Sequence, residues 1–286
     1  MRTLREVLNI AKEYKVAIGH FNISDSTQFN AIVSASLELQ VPVIIGVSEG
    51  EKKFIGLHNA VALVQSAQQR GIEVYLNLDH GHRVEDCKEA IDAGFDSVMF
   101  DGSKLSFQEN IVKTKEVVEY ARKNEQDILI EGELGYIGSS SKMLDSVPSD
   151  VESTMTTVEQ AREFVDKTGV DILAPSVGNL HGMLKGMQNP AINIERINDI
   201  AKVVLGTTLV LHGGSGLTDS DFTEAIKAGV NIVHINTEIR RAHREGIEDA
   251  LESDKEQIAP YKYLNKGRDK VKDVVLQRLK LFSINK

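Results

Sequence analysis

Histidines are concentrated in this sequence at the points where short apolar segments end. Of the eight histidines, His58 and His243 fall in segments with helical periodicity. The other six follow apolar, β-branched runs: His20, His80, His82, His181, His212 and His234. A hydrogen bond at a strand end is the simpler interpretation of any one of them. Six at such positions indicate a shared site, because imidazole is both an acid–base group and a common metal ligand.

Three of these histidines lie in glycine-flanked segments that are typical of a metal site. Their sequences are Leu78-Asp79-His80-Gly81-His82, Val177-Gly178-Asn179-Leu180-His181-Gly182 and Leu211-His212-Gly213-Gly214-Ser215-Gly216. Three neutral imidazoles can bind zinc and leave a coordination position open. An open zinc polarises a carbonyl as a Lewis acid. We therefore predict a zinc site at His80, His181 and His212, and we assign His82 to a surface loop outside it.

Carboxylates follow the same apolar segments. Asp79 immediately precedes a predicted ligand, Asp101 ends the fourth segment, and Glu131 and Glu133 end the fifth. Carboxylates at such positions can transfer protons, hold a ligating histidine or bind the metal themselves. Solvated loop charge is the alternative interpretation for each. Their shared position favours a functional role.

An anion site is predicted from two segments near the C-terminus. The run Gly213-Gly214-Ser215-Gly216 follows the seventh apolar segment, and Asn236-Thr237 follows the eighth. Barrel enzymes often form a phosphate site from the loops after strands seven and eight, with backbone N–H groups and hydroxyls as donors. A glycine run alone would be a weak signal. Its place beside a predicted ligand strengthens it.

The elements that must position these residues alternate regularly between strand and helix. Eight strands are predicted at Val16–Phe21, Val43–Val47, Val74–Leu78, Ser97–Phe100, Ile128–Ile130, Ile172–Ala174, Leu209–Leu211 and Ile232–Ile235. Helical periodicity separates them at Ser26–Leu39, Ala60–Arg70, Val84–Ala93, Glu109–Lys123, Val158–Lys167, Ile194–Val204 and Asp219–Ala228. Strict alternation implies a parallel sheet, and eight units imply a closed (β/α)₈ TIM barrel. An open doubly wound sheet is the structural alternative.

Further helices and two long connections complete the predicted architecture. Extra helices are expected at Met1–Tyr14, Ile239–Leu251 and Tyr261–Leu281, and residues 1–286 are expected to form one domain. Long connections run from Gly135 to Thr157 and from Ser176 to Asn193. Connections of this length in a compact domain are commonly functional. We predict that the Ser/Gly-rich first connection is a mobile lid over the site.

Composition excludes several classes of function. The net charge of −9, with no basic run, argues against nucleic acid as a partner. No segment approaches the roughly 18 apolar residues of a membrane span. The single cysteine, Cys87, cannot form an internal disulfide and suits a reducing cytoplasm. A soluble cytoplasmic protein is expected.

With these motifs the sequence resembles the class II, zinc-dependent fructose-bisphosphate and tagatose-bisphosphate aldolases. The resemblance covers nearly the whole chain. Its motifs are Gly19-His20-Phe21-Asn22, Pro42 through Val47-Ser48-Glu49-Gly50, Leu78-Asp79-His80, Val98-Met99-Phe100-Asp101-Gly102-Ser103, Glu131-Gly132-Glu133-Leu134-Gly135, His181-Gly182 with Lys185, and His212-Gly213-Gly214-Ser215-Gly216.

The resemblance implies a role for each matching residue. Zinc would lie on His80, His181 and His212, with Asp79 as the acid–base group for the hydroxyl proton. Glu133 would match a second metal position and Asp101 a position near the substrate. The phosphate of dihydroxyacetone phosphate would lie on Gly182, Lys185, Gly213, Ser215, Asn236 and Thr237. The resemblance also implies a monovalent cation, Na⁺ or K⁺, near this phosphate, and a homodimer or homotetramer is expected.

The sequence departs from the family pattern in three places. The lid segment Gly138-Ser139-Ser140-Ser141-Lys142 has no carboxylate before Asp145, where relatives often carry several. Ala259-Pro260-Tyr261-Lys262 replaces an Asp-Pro-Arg motif whose arginine binds the far phosphate. His234 replaces an asparagine. The candidates for transfer of the triose proton are therefore Asp145, Glu152 and His234, with Asp145 ranked first.

The sequence therefore favours a zinc-dependent aldolase for a phosphorylated ketose, with fructose 1,6-bisphosphate as the leading substrate. A tagatose bisphosphate or a ketose with one phosphate is the alternative within the same chemistry. A non-catalytic phosphosugar-binding protein is the alternative from another class, and the lid without carboxylates motivates it. A zinc hydrolase on a barrel would leave the predicted phosphate loop unexplained.

Overall fold

The computed structural model describes residues 1–123, 127–135, 143–147 and 154–283. Eight parallel strands close into a barrel in the order β1-β10-β9-β7-β5-β4-β3-β2. Their bounds are β1 Ile18–Asn22, β2 Val43–Ser48, β3 Val74–Gly81, β4 Ser97–Phe100, β5 Leu129–Leu134, β7 Ile172–Pro175, β9 Thr208–Leu211 and β10 Val230–Ile235. Because β1 pairs with β10, the sheet has no open edge, and the barrel prediction is confirmed.

The helices surround this barrel. Their bounds are α1 Leu4–Tyr14, α2 Ser26–Leu39, α3 Glu49–Ile55, α4 Leu57–Gln68, α5 Val84–Asp92, α6 Phe107–Lys123, α7 Val158–Thr168, α8 Ile194–Val203, α9 Asp219–Ala228, α10 Thr237–Ser253 and α11 Pro260–Phe282. The predicted extra helices at both ends are confirmed. Within the described residues, no helix combines the length and the apolarity that a membrane crossing requires.

The sequence prediction fell short mainly at the carboxyl ends of strands. Strand β3 continues three residues past Leu78, and β5 continues through Glu131 and Glu133. The apolar signal stops earlier because these inward side chains are polar, while the backbone ladder continues. Helix α3 was missed. Its start is a capping box between Ser48 and Glu51, and the glycine within it weakens helical periodicity.

The barrel interior has two layers, which follow from the alternation of side chains along each strand. The lower layer is apolar and consists of Ile18, Ile44, Tyr75, Leu129, Ile172, Val210 and Ile232, against which α1 packs Leu4, Val7, Leu8 and Ala11. Two residues further along the strands most of the inward positions are polar and buried: His20, Asn77, Glu131, His212 and His234. Alternate positions face outward into the larger core under the helices.

The two long connections contact each other above the barrel. Each contains a two-residue strand, β6 at Met143–Leu144 and β8 at Met183–Leu184, and the two pair in parallel. The backbone N–H of Lys185 also donates to the carbonyl of Leu144 at 2.9 Å. The described part of the predicted lid is therefore tied to the connection that carries His181.

Candidate functional site

A cavity of about 300 Å³ opens at the carboxyl ends of the strands. This is the end of a TIM barrel where active sites form. Its lining combines the predicted metal, acid–base and phosphate residues: Asp79, His80, Asp101, His181, Gly182, His212, Gly213, Ser215, His234, Asn236 and Thr237. The structure therefore brings these predicted residues together in one cavity.

Three histidines from separate parts of the chain meet in this cavity. His80 lies in β3, His181 lies in the connection after β7, and His212 directly follows β9. The ring centroid of His80 is 4.8 Å from that of His181 and 5.0 Å from that of His212. One ligand nitrogen from each ring lies within 4.8 Å of the others. A single metal ion can therefore be reached by all three.

Backbone strain helps to place His80. Its φ of 58° lies in the left-handed region, which residues other than glycine rarely adopt. Such conformations persist at functional sites when surrounding contacts fix them. His80 Nδ1 lies 3.0 Å from Asp101 Oδ2 and 3.4 Å from Glu133 Oε2, while its Nε2 lies 3.7 Å from Asp79 Oδ1. The ring is thus surrounded by three carboxylates.

The carboxylates give this end of the cavity a negative field. Burial opposes the charge of His80, but Asp79, Asp101 and Glu133 outweigh burial and raise its pKa to about 10. Burial and the neighbouring His80 lower the pKa values of His181 and His212 to about 3, so both rings are neutral. A neutral imidazole is the metal-binding form. A divalent cation in the cavity would take the place of the proton on His80.

Further contacts hold His212 and the segment that carries His181. His212 Nε2 lies 2.7 Å from Glu131 Oε1, which leaves Nδ1 free for a metal. The side chain of Asn179 donates to the His212 carbonyl at 2.8 Å and thereby links the His181 connection to β9. Glu133 Oε2 is buried without a hydrogen-bond partner among the described residues. An unpaired buried carboxylate oxygen beside His80 fits a cation site.

The predicted phosphate loops form one side of the cavity. Gly213 has a φ of 63°, and a Cβ at this position would overlap the backbone of Leu180, so only glycine fits. The Asn189 side chain donates to the carbonyls of Gly182 and Ser215, at 2.9 and 3.0 Å, and fixes the two loops against each other. Asn236 and Thr237 border the same space at the start of α10.

Two predicted residues lie elsewhere. The Lys185 ammonium contacts the Asp145 carboxylate at 2.9 Å, and the Asp145 side chain is 86% exposed. Neither residue belongs to the described lining of the cavity. Ser139, Ser140, Ser141, Lys142 and Glu152 lie outside the described residues.

The sequence interpretation missed several residues of the site. Asn22 donates to both Asp79 Oδ2 and Glu51 Oε2 at 2.8 Å, and Glu51 in turn is paired with Arg240. His82, assigned to a surface loop, lines the cavity with its Nδ1 3.4 Å from Asp101. The capping-box spacing of Ser48 and Glu51 could have identified Glu51 from the sequence. No sequence pattern identifies Arg240, because an arginine on a helix is ordinarily a solvated charge.

A closed eight-stranded barrel with three histidines and an acidic group at its mouth defines the class of metal-dependent barrel enzymes. The family model described as "Fructose-bisphosphate aldolase class-II" matches residues 2–286. The chain belongs to this family, and it is a class II aldolase, a carbon–carbon lyase. Enzymes of this class depend on a metal.

Relatives and solved structures agree with this assignment. A fructose-bisphosphate aldolase of Staphylococcus aureus is 39% identical over 284 residues, covering 98% of this chain and 96% of that protein. A probable fructose-bisphosphate aldolase of Bacillus subtilis is 34% identical over the same shares. The crystal structure of the YdjI aldolase from Escherichia coli K12 superposes with a TM-score of 0.82 at 29% identity, covering 99% of this chain and 98% of that one.

Proposed function

We propose that this protein is a zinc-dependent aldolase that reversibly cleaves fructose 1,6-bisphosphate to dihydroxyacetone phosphate and glyceraldehyde 3-phosphate. The observation that carries the proposal is the meeting of His80, His181 and His212 in one cavity with Asp79 and the glycine loop after β9. The relatives from Staphylococcus aureus and Bacillus subtilis are named for the same substrate.

The residues present fit a zinc ion. His80, His181 and His212 would hold it, with Asp101 and Glu131 orienting two of the rings. Glu133 groups with His80 and Asp101 in a second possible metal position. Zinc supplies a Lewis acid that polarises the ketose carbonyl and stabilises negative charge on the triose fragment. The neutral state of His181 and His212 supports this assignment, since protonated rings could not bind.

Asp79 is the acid–base residue of this proposal. It is buried, but the neighbouring His80 and the contact with His234 outweigh burial and hold its pKa well below the usual range, so it is ionised. In cleavage, its carboxylate takes the proton of the substrate hydroxyl. The O–H electron pair becomes the aldehyde carbonyl, and the electron pair of the broken carbon–carbon bond goes to the triose fragment. An ionised carboxylate within the cavity is what this step requires.

The triose phosphate is assigned to Gly182, Gly213, Ser215, Asn236 and Thr237. Thr237 is the first residue of a 17-residue helix, whose N-terminus favours an anion through free N–H groups and its dipole. Lys185 would reach this phosphate only by leaving Asp145, an exchange that costs little because the pair is exposed. A Na⁺ or K⁺ ion beside the phosphate belongs to the same proposal.

The far phosphate has two cationic candidates among the residues that line the cavity, Lys104 and Arg240. Their presence supports a bisphosphate, with no need for an arginine at the position of Tyr261. A ketose with one phosphate is the second candidate, because Glu51 already neutralises Arg240. Lys104 has no ion-pair partner among the described residues. The Lys104→Ala variant therefore tests most directly whether the substrate carries one phosphate or two.

The decisive experiment assays release of triose phosphate from fructose 1,6-bisphosphate, tagatose 1,6-bisphosphate and fructose 1-phosphate. Fructose 1,6-bisphosphate should give the highest kcat/KM, a chelator should abolish turnover, and zinc should restore it. Lys104→Ala should raise KM for both bisphosphates and leave fructose 1-phosphate unaffected. Tight binding of a ketose phosphate without release would favour a non-catalytic binding protein. Light scattering tests the expected homodimer or homotetramer.

A further inference from the structure

Two histidine rings from neighbouring strands are stacked inside the barrel. His20 in β1 and His234 in β10 are register partners, with ring centroids 3.4 Å apart and planes within 2° of parallel. The two side chains are almost fully buried. Neither ring belongs to the metal set proposed above, although both lie beside it. A buried pair of polar rings needs a reason, because its desolvation costs free energy.

The stacked pair is unsuited to chelating a second metal ion. A metal bound to imidazole lies in the plane of the ring, and two parallel planes at this separation share no such position. Proximity alone would allow a site, since ligand atoms of His20, Asp79 and His234 lie within 4.8 Å of one another.

The His20 ring is fixed by residues of strands β2 and β3. Its Nε2 lies 3.0 Å from the side-chain oxygen of Asn77, and the Asn77 amide donates to Ser97 Oγ at 2.9 Å. On the neighbouring strand β2, a Cβ on Gly46 would overlap the His20 ring, so glycine is needed there. Residues of strands β1 to β4 thus hold the His20 ring in place. The His234 ring stacks on its face.

The His234 ring is directed at the proposed acid–base residue. Its Nδ1 lies 3.5 Å from Asp79 Oδ1, and its other neighbour is the His212 ring, at a centroid distance of 3.8 Å. Asp79 Oδ2 is already held by Asn22 at 2.8 Å. A separation of 3.5 Å is longer than an ordinary hydrogen bond, and such catalytic contacts shorten when substrate binds. The Nδ1 edge of the His234 ring thus faces Asp79 Oδ1, which is buried without a hydrogen-bond partner among the described residues.

We propose that His234, held in place by stacking on His20, is a positioning residue that orients the Asp79 carboxylate toward the substrate hydroxyl. The inference rests on the proposed function. It also assigns His234 a role other than transfer of the triose proton, for which it was a candidate. A misplaced catalytic group costs about 10- to 100-fold in rate. We therefore expect that loss from His234→Ala, with a smaller loss from His20→Ala.

Two partial reactions separate the possible roles of His234. Cleavage of the ketose bisphosphate needs transfer of the hydroxyl proton and therefore Asp79. Exchange of the carbon-bound proton of dihydroxyacetone phosphate with D₂O, followed by NMR, needs no hydroxyl proton transfer. His234→Ala should lower kcat for cleavage about 10- to 100-fold, change KM little, and retain the exchange rate within about threefold. His234→Gln, which keeps a donor, should recover part of the cleavage rate.

A double variant makes the test specific for action through Asp79. In the Asp79→Asn background, His234→Ala should lower cleavage no further, because residues that act through one another are not additive. Zinc content and melting temperature are measured on every variant. His20→Phe, which keeps a flat face, should retain more activity than His20→Ala.

Each contrary outcome is recognisable. If cleavage and exchange fall together, His234 acts on the triose itself and the inference is wrong. If the effects of Asp79→Asn and His234→Ala multiply, the two act independently and the inference is also wrong. A fall in zinc content that accounts for the whole loss would assign a structural role instead. A parent protein that neither cleaves nor exchanges would contradict the proposed function. If the parent does both, any difference in the variants reports on the role of His234 alone.

Discussion

In the lower half of the barrel interior, Ile18, Tyr75 and Ile232 pack against helix α1. Two residues further along the same strands, His20, Asn77 and His234 are equally inaccessible to solvent. Both layers obey the same alternation and the same register, so the strands alone do not distinguish them. The lower layer stabilises the barrel by burying apolar surface.

The upper layer is a set of buried polar groups whose burial costs free energy unless they are paired. Most of these groups are paired with each other, as in His20 with Asn77 and His212 with Glu131. One continuous barrel thus assigns stability to one end and chemistry to the other. Substitutions in the two layers should therefore have different signatures.

The largest effect is expected from Asp79→Asn. Loss of the proposed acid–base group should lower kcat by roughly 10²–10⁴ and leave the unfolding transition nearly unchanged. Steady-state kinetics, zinc content and denaturant unfolding are the measurements. Near-normal turnover would show that Asp79 only supports other residues and that the upper layer does its chemistry elsewhere.

The matched change in the lower layer is Leu8→Ala. Leu8 is 2% exposed between α1 and the barrel, so its truncation should lower the free energy of unfolding by about 2–4 kcal/mol. The kcat of the folded enzyme should stay within about twofold, because no upper-layer contact is changed. A large loss of kcat at a temperature where the variant is folded would show that the layers are coupled.

Gly46→Ala tests the boundary between the layers. The new Cβ would overlap the His20 ring, and relief of such overpacking typically costs about 1–3 kcal/mol. The cost should largely disappear in a His20→Ala background, which removes the obstacle. A double-mutant cycle of unfolding free energies checks this. Equal costs in both backgrounds would mean that His20 does not set the requirement for glycine.

The smallest effect concerns pH. Burial raises the pKa of Asp96, at the amino end of β4, to about 6, against an opposing hydrogen bond from the N–H of Leu76. The folded state therefore keeps a proton that the unfolded state releases above its ordinary pKa of about 3.9. Stability should fall as the pH rises from about 4 to 6, by on the order of 2 kcal/mol, and stay level above that.

Asp96→Asn provides the control for this pH dependence, because an amide can still accept the Leu76 hydrogen bond and does not titrate. Unfolding of parent and variant at several pH values gives the comparison. A parent and a variant with the same slope between pH 4 and 6 would assign the dependence to other groups. Asp101, at the opposite end of β4, should contribute stability that is lost as the pH falls. The reason is that His80 and Ser103 outweigh burial and hold its pKa well below the usual range.

The alternating order of strands and helices, and with it the barrel, could be predicted from local patterns in the sequence. Apolar β-branched runs and helical periodicity are local properties, so β4, α2 and α9 were predicted at their observed bounds. The same local signal marked the strand ends, and parallel strands present those ends on one side of the barrel. His80, His181, His212 and Asp79 could be assigned to one site for that reason.

The division of roles among the polar residues depends on contacts between distant parts of the chain. Nothing in the sequence separates Asp145 and Lys185 from the other predicted site residues. In the structure they pair with each other outside the described cavity lining. His20 and His234 are 214 positions apart, and only closure of the barrel between β1 and β10 brings their rings into contact. Contacts of this kind depend on strand register and side-chain direction across the sheet, which no local pattern of residue types encodes.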